Sequence, residues 1–433
     1  MAEQMKSSGI DWIGDIPTSW ECSKVKFCFS LVNGSTPESS DYDCWDGDIK
    51  WITPADMSDT GTISQGERFI TKYGYNSCGT TLLPVGSIVI SSRAPIGKIN
   101  ITTAELCTNQ GCKSLIRNAD NRYFYYLFLA GQNELSLLGR GTTFLELSTY
   151  DLNGFGIVIP TEDEQKAIAD FLDKECAQID SIAADLEKQI ALLQQYKKSL
   201  ITETVTKGLD KSVSMKDSGI EGVGKIPTHW TVNRLKYAAV VKTGPFGTQL
   251  SASEYSDEGI PVINVKNIGY GTIIEDDLDY VPDEVCQRLA QHQLQLGDIV
   301  FGRKGAVDKH AIITESQIGW VQGSDCIRVR IYSDIDSRYL NYLFDTVYFA
   351  EYVLLYAVGT TMASINSDIL TNSKILVPPI TEQRCIADFL DSNCKTLFEI
   401  IENKQSQLAT LQQHKKSLIY EYVTGKKRVK EVQ

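Results

Sequence analysis

A segment of this 433-residue chain is written twice. Ser8-Gly-Ile-Asp-Trp-Ile-Gly-Asp-Ile-Pro-Thr-Ser-Trp20 returns as Ser218-Gly-Ile-Glu-Gly-Val-Gly-Lys-Ile-Pro-Thr-His-Trp230. A second pair follows each body: Pro160-Thr-Glu-Asp-Glu-Gln-Lys-Ala-Ile-Ala-Asp-Phe-Leu-Asp173 answers Pro378-Pro-Ile-Thr-Glu-Gln-Arg-Cys-Ile-Ala-Asp-Phe-Leu-Asp391, and Gln194-Gln-Tyr-Lys-Lys-Ser-Leu-Ile201 answers Gln412-Gln-His-Lys-Lys-Ser-Leu-Ile419. Self-similarity of this length and order implies duplication and a pseudo-twofold fold. Between the frames only fragments align, such as Arg122-Tyr-Phe-Tyr-Tyr-Leu-Phe128 with Arg338-Tyr-Leu-Asn-Tyr-Leu-Phe344 and Gly86-Ser-Ile-Val with Gly297-Asp-Ile-Val. Constant frames around differing contents suggest one scaffold holding two different readers.

The repeat divides the chain into a first body over 1–160, a helical segment over 161–207, a second body over 208–378 and a closing helical segment over 379–433. From about 162 to 204 there is neither Gly nor Pro. Apolar residues at Ile168, Leu172, Cys176, Ile179, Ile182, Leu186, Ile190, Leu193 and Leu200 form one stripe at helical spacing, and Thr161 with Glu164 offers a capping box. The second copy repeats the stripe at Ile386, Leu390, Cys394, Leu397, Ile400, Leu408, Leu411 and Leu418, interrupted by Lys404. A lone helix of about 40 residues, some 60 Å long, needs a partner for such a stripe, and its twin in a coiled coil is the simplest one. The bodies read as mixed α and β, with short strands at Ser87–Ser92 and Asp298–Phe301 and aromatic-rich helices over 121–130 and 337–346. The expected class is α+β: two globular α/β bodies alternating with two long helices. Residues 207–219, polar and carrying Gly and Ser, form the expected linker.

Catalytic motifs are missing. No Gly-x-x-x-x-Gly-Lys-Ser/Thr loop occurs, and Val377-Pro-Pro-Ile380 lacks the polar lead residue and the aromatic of a methyltransferase motif. Glu164-Gln-Lys166 resembles the end of a nuclease motif but opens a helix, and its twin reads Glu382-Gln-Arg384. Eleven Cys with no Cys-x-x-Cys pair and only four His give no zinc pattern. Asp41, Asp43, Asp46 and Asp48 have EF-hand-like spacing, but Ile52 stands where the closing Glu belongs. The expectation is a binding protein without metal or catalytic residues. No apolar run approaches the ~20 residues that span a bilayer, and the first 17 residues hold no signal-peptide core, so a cytoplasmic protein is expected.

The order of these segments resembles the specificity subunit of type I restriction–modification systems. Ile16-Pro-Thr-Ser-Trp20 and Ile226-Pro-Thr-His-Trp230 are similar to that family's domain starts. Gly34-Ser-Thr-Pro37, Trp45-x-Gly47-x-Ile49-x-Trp51 and Arg93-Ala-Pro-Ile-Gly-Lys98 are similar to its first-domain style, and the segments at 157–172 and 375–390 to its helix starts. The resemblance implies two target-recognition domains, each reading half of a split, asymmetric site in double-stranded DNA. It implies antiparallel helices that set the spacer and dock two modification subunits and the restriction (motor-nuclease) subunits, in a bacterial or archaeal cytoplasm. S-adenosylmethionine, ATP and Mg are expected on those partners, none on this chain. The coiled-coil and partner surface is expected on Ile168, Leu172, Ile179, Ile182, Leu186, Ile190, Leu193, Ile386, Leu390, Leu397, Ile400, Leu408 and Leu411.

Phosphate contacts want Lys and Arg, and base edges favour Arg, Lys, Asn and Gln. That chemistry selects Lys50, Arg93, Lys98, Asn109, Gln110, Lys113 and Arg140 in the first body, and Lys242, Lys266, Asn267, Arg303, Lys304, Lys309 and Gln322 in the second. Arg122 and Arg338, at matched helix starts, read as structural. Trp20, Trp230 and the aromatic runs read as core. The net charge of −13 opposes a protein that binds DNA over its whole surface. It predicts weak DNA binding by the isolated chain, with affinity arising in the complex. Three rivals remain: an enzyme with an unrecognised site, an adaptor that binds only proteins, and the specificity subunit of a related methylation-linked system with different cleavage.

Overall fold

A computed structural model describes residues 4–93, 95–140, 145–332, 334–359 and 363–429. The chain divides into two compact units. The first runs up to residue 187 and takes up the chain again from 406; the second spans 188–405.

The two units repeat one topology. In the first, a five-stranded sheet has the order Ser30–Asn33, Cys112–Ile116, Ile88–Ser91, Ile99–Thr102, Thr60–Ile63, antiparallel except for its last, parallel pair. The second unit orders Ala239–Thr243, Cys326–Ile331, Ile299–Gly302, His310–Ile312 and Tyr270–Gly271 in the same way. A three-stranded sheet accompanies each: Cys107–Thr108, Trp45–Ile52 and Arg68–Ile70 in the first unit, Val321–Gln322, Ile260–Ile263 and Asp279–Val281 in the second. The expected strands lie at Ile88–Ser91 and Ile299–Gly302, and the aromatic helices at Arg122–Ala130 and Ser337–Phe344. The expected linker is partly built into the second unit, since Met215–Asp217 pairs with Lys225–Pro227.

The long helices are Glu162–Lys207 and Ile380–Val423. Thr161 and Glu164 form the expected reciprocal cap: the Thr161 amide donates to Glu164 Oε2 at 3.2 Å and the Glu164 amide to Thr161 Oγ1 at 3.4 Å. Each unit contains part of both helices, running antiparallel. In the first unit the rings of Phe171 and Tyr422 lie 4.5 Å apart and Lys415 Nζ donates to Asp180 Oδ1 at 2.6 Å. In the second, Lys404 Nζ donates to Gln189 Oε1 at 2.6 Å. Lys404, which interrupts the apolar stripe, therefore sends its ammonium to the partner helix and leaves its stem on the seam.

The inward positions of the first helix are Ala169, Leu172, Cys176, Ile179, Ala183, Leu186, Ile190, Leu193, Lys197 and Leu200. Those of the second are Ala387, Leu390, Cys394, Leu397, Ile401, Lys404, Leu408, Leu411, Lys415 and Leu418. Alternating steps of three and four are a 3.5-residue repeat, the period of a left-handed coiled coil. Two expected seam residues are corrected by it: Ile182 is 51 % exposed and Ile400 39 %, because Ala183 and Ile401 hold those places.

Each body is closed by a helix end. The first core joins Trp20, Tyr123, Ile157, Ile168 and Leu172 to Ile419 and Val423 from the end of the second helix. The other core joins Trp230, Tyr339, Ile375, Ile386 and Leu390 to Ile201 and Val205 from the end of the first helix. Tyr123 Oη donates to the carbonyls of Val158 and Val423, and Tyr339 Oη to those of Leu376 and Val205. The repeated tryptophans and aromatic runs are thus core residues. Arg122 and Arg338 fasten each body to a long helix. Arg122 Nη1 lies 2.8 Å from Asp170 and 2.6 Å from Asp173, while Arg338 Nη1 lies 2.8 Å from both Asp388 and Asp391.

Candidate nucleic-acid interface

In the first unit, five loops are knitted together by main-chain hydrogen bonds. The amides of Gly34 and Ser35 donate to the carbonyls of Cys112 and Thr108, that of Asn109 to Ile52, that of Ser92 to Gly111, and that of Leu147 to Ser92. The loops touch so closely that a Cβ on Gly34 would collide with the carbonyl oxygen of Asn109. Side chains add to the knot: Thr36 Oγ1 bonds Gln110 Oε1, and Lys98 Nζ donates to the carbonyls of Pro54 at 3.1 Å and Met57 at 2.8 Å.

The second unit ties the equivalent knot. The amide of Gly244 donates to Cys326, that of Gly323 to Ile263, that of Arg303 to Asp325, and that of Ile365 to Arg303. A Cβ on Gly244 would collide with the carbonyl oxygen of Gly323. By these bonds and the bridges Arg93 to Glu146 and Lys304 to Ser364, Gly34 is the counterpart of Gly244, Ser92 of Arg303, Arg93 of Lys304 and Gly111 of Asp325. The scaffold is common and the side chains on it differ.

Several sequence-selected residues meet here. Arg93, Gln110 and Arg140 are exposed on the first cluster, with Asn109 and Lys98 half-buried between its loops. The Asn109 side chain is turned inward to accept from the Gly111 amide at 2.9 Å. Arg303, Lys304 and Lys309 share one loop of the second cluster, and the Arg303 guanidinium lies 4.6 Å from the Phe246 ring. Lys50 is half-buried on the strand Trp45–Ile52, and Lys242 is held by Gln291 Oε1 at 2.7 Å. Lys266 lies 2.9 Å from Asp277 and 3.3 Å from Asp279, and hydrogen bonds to both push its pKa up.

Three selected residues are corrected, because they offer no surface. Lys113 is buried and donates to Asn33 Oδ1 at 2.8 Å and Thr149 Oγ1 at 3.0 Å; desolvation pushes its pKa down. Asn267 is buried and spends its amide on the carbonyls of Ile274 and Asp276. Gln322 is buried and donates to the carbonyls of Lys242 and Cys326. Asn267 and Gln322 satisfy main-chain carbonyls, and Lys113 satisfies the side chains of Asn33 and Thr149.

The specificity-domain model of type I restriction–modification systems matches residues 17–192 and 227–410. This chain belongs to that family. The type I specificity subunit MjaIX of Methanocaldococcus jannaschii is 29 % identical over 434 residues, 97 % of this chain and 96 % of that one. The EcoR124I/EcoR124II specificity subunit of Escherichia coli is 28 % identical over 171 residues, 37 % of this chain and 42 % of its own. A solved structure from work on assembly and conformational transition of a type I system superimposes with a TM-score of 0.71 at 14 % identity, covering 94 % of this chain and 98 % of the other. The HsdS subunit of Thermoanaerobacter tengcongensis gives 0.50 at 14 % identity over 95 % and 98 %. These two structures bear on the fold, which is that of a type I specificity subunit.

Against that family background, two features of the interface were missed in the sequence. Arg68 lies with its guanidinium carbon 3.4 Å from the centroid of Trp45, which itself meets Trp51 edge to face at 5.2 Å. Trp45 and Trp51 were visible as a motif, but nothing in the spacing announced a cation stacked from the strand Arg68–Ile70. The second is Phe246 against Arg303, far apart in sequence and on different loops. Among the described residues, no helix is long and apolar enough to cross a membrane.

Proposed function

We propose that this chain reads a split sequence in double-stranded DNA through its two loop clusters, one half-site per unit, and catalyses neither methylation nor cleavage. The observation that carries the proposal is the pair of equivalent loop knots, alike in main-chain bonding and different in side chains. Arg93, Gln110 and Arg140 in one cluster and Arg303, Lys304 and Lys309 in the other are the proposed contacts to phosphates and base edges, and Arg68 on Trp45 joins them. The long helices, which the chain threads through both units, set the length of the unread spacer. With their flanks they dock two modification subunits, which bring S-adenosylmethionine, and restriction subunits, which bring ATP and Mg. The complex works in the cytoplasm. Net charge −13 makes DNA affinity a property of the assembly, with the partners supplying much of the phosphate contact.

The test is a methylation map. The chain is expressed with its modification subunit in a host without adenine methylation, and modified bases are read genome-wide. One split motif with a fixed spacer, present only with this chain, is the expected result. No new methylation from two soluble, associated proteins overturns the proposal.

A further inference from the structure

In each loop cluster one exposed cation is met by a carboxylate from a neighbouring loop. Arg93 Nε lies 3.5 Å from Glu146 Oε2, and Lys304 Nζ lies 3.0 Å from Asp325 Oδ1. Arg93 and Lys304 hold equivalent places, since each is bridged to the same following loop, at Glu146 and at Ser364. Their acids do not. Glu146 has Ser364 as its counterpart, and Asp325 has Gly111, because the carbonyls of Gly111 and Asp325 accept from the equivalent amides of Ser92 and Arg303. Simple inheritance from a duplicated domain would leave one acid at one place. Here two acids reach the same cation from different loops, so the shared property is the neutral pair itself.

Both pairs are about half exposed, with side-chain exposures of 49 and 42 % for Arg93 and Glu146 and 48 and 43 % for Lys304 and Asp325. Exposed pairs are weak and water-screened, so a phosphate or a guanine edge can displace the carboxylate. Displacement nevertheless subtracts from binding to any DNA. Where only backbone phosphates are offered, the exchange of one anion for another gains little. Where the right bases add their own hydrogen bonds, it gains more. A built-in competitor therefore lowers affinity for all DNA, and only a site whose bases add their own hydrogen bonds holds the loops against it.

We propose that Glu146 and Asp325 restrain DNA binding, each holding one cation of its cluster, Arg93 or Lys304, in a neutral pair that backbone phosphate alone cannot profitably open. The inference rests on the reading that these loops contact DNA. The experiment uses the complex of this chain with its modification subunits, a duplex carrying the mapped site, and a scrambled duplex of equal length. Glu146→Gln and Asp325→Asn keep shape and remove charge. Each is expected to tighten binding to the scrambled duplex, on the order of 2–5-fold at low salt, and to tighten target binding by a comparable factor. The slope of log affinity against log salt should steepen by about 0.9, one further phosphate neutralised. Unchanged scrambled-duplex affinity and slope in both variants overturn the proposal. Arg93→Ala and Lys304→Ala separate the two layers. If they weaken target binding while the acid variants change nothing, only the competitor role falls. If they leave both duplexes bound as before, the loops do not contact DNA and the reading beneath it falls as well.

Discussion

The coiled-coil seam is tested by substituting neighbouring isoleucines one turn apart. Ile179 is 8 % exposed and Ile182 is 51 % exposed on the same helix. Truncating a buried Ile to Ala removes apolar contact and leaves a cavity, typically 2–5 kcal/mol. Alanine's better helix propensity returns about 0.4 kcal/mol, so Ile179→Ala should destabilise by about 2–4 kcal/mol. Ile182 keeps roughly half its surface in water, and the same propensity gain offsets most of what it loses. Ile182→Ala should therefore lie within about 1 kcal/mol of the parent. Denaturant unfolding followed by far-ultraviolet circular dichroism reads both. Equal destabilisation by the two substitutions, or a greater loss at Ile182, would refute the 3.5-residue register, since that result requires the stripe to run through 182 rather than 183. Leu397→Ala and Ile400→Ala repeat the comparison on the second helix.

Three further outcomes are expected. Gly425 has φ +72°, and a Cβ there would collide with the Pro17 ring, so Gly425→Ala should destabilise the first unit by about 2 kcal/mol in thermal unfolding; Gly208→Ala, at φ +74° but facing the movable end of Glu382 at 2.9 Å, should cost about 1 kcal/mol. Arg338→Ala leaves Asp336, Asp388 and Asp391 without their shared cation; as the site is 42 % exposed, the loss should be about 1 kcal/mol and should shrink in high salt, an unchanged loss arguing against an electrostatic origin. Burial, with Lys242 and Arg328 nearby, pushes buried His292 down to about 4. Between pH 4 and 6.5 the unfolded chain binds the extra proton, so stability should rise with pH through that window and level off above it, and His292→Leu should flatten the rise.

Much of the fold was legible because the repeat marks the places where the chain must bond to itself. The Ile-Pro-Thr-x-Trp openings recur since Trp20 and Trp230 each fill a core closed by a helix end. At position 182 the seam was read one residue off for a physical reason. Ala183 carries too little apolar surface to stand out beside Ile182, and only the regular 3.5 repeat of a paired helix picks the alanine. The site was less legible. Residue chemistry alone selected Lys113, Asn267 and Gln322 together with Arg93 and Lys304, since nothing in a sequence separates a lysine that supports a loop from one that rides on it. Arg68 on Trp45 and Arg303 on Phe246 join strands and loops whose neighbours are set by sheet pairing, which local pattern does not encode.

The two units also show how one scaffold tolerates different readers. In the five-stranded sheet, Arg330 of the second unit donates to Asp298 at 2.8 and 2.6 Å, and Asp298 also receives the Gln295 amide. By strand register the counterparts of Arg328 and Arg330 are Ser114 and Ile116. A half-buried arginine on a buried carboxylate thus stands where the first unit has Ile116. Such an exchange has to be made whole, because removing one partner of a buried pair leaves a desolvated charge and costs several kcal/mol. Main-chain knots such as Gly34 to Cys112 and Gly244 to Cys326 constrain only glycine and backbone, and they persist unchanged. Divergence is therefore cheap where side chains face water on the loops and concerted where they are buried in the sheet. Transplanting only the exposed loop residues of one unit onto the other should preserve folding, whereas moving Arg330 without Asp298 should not.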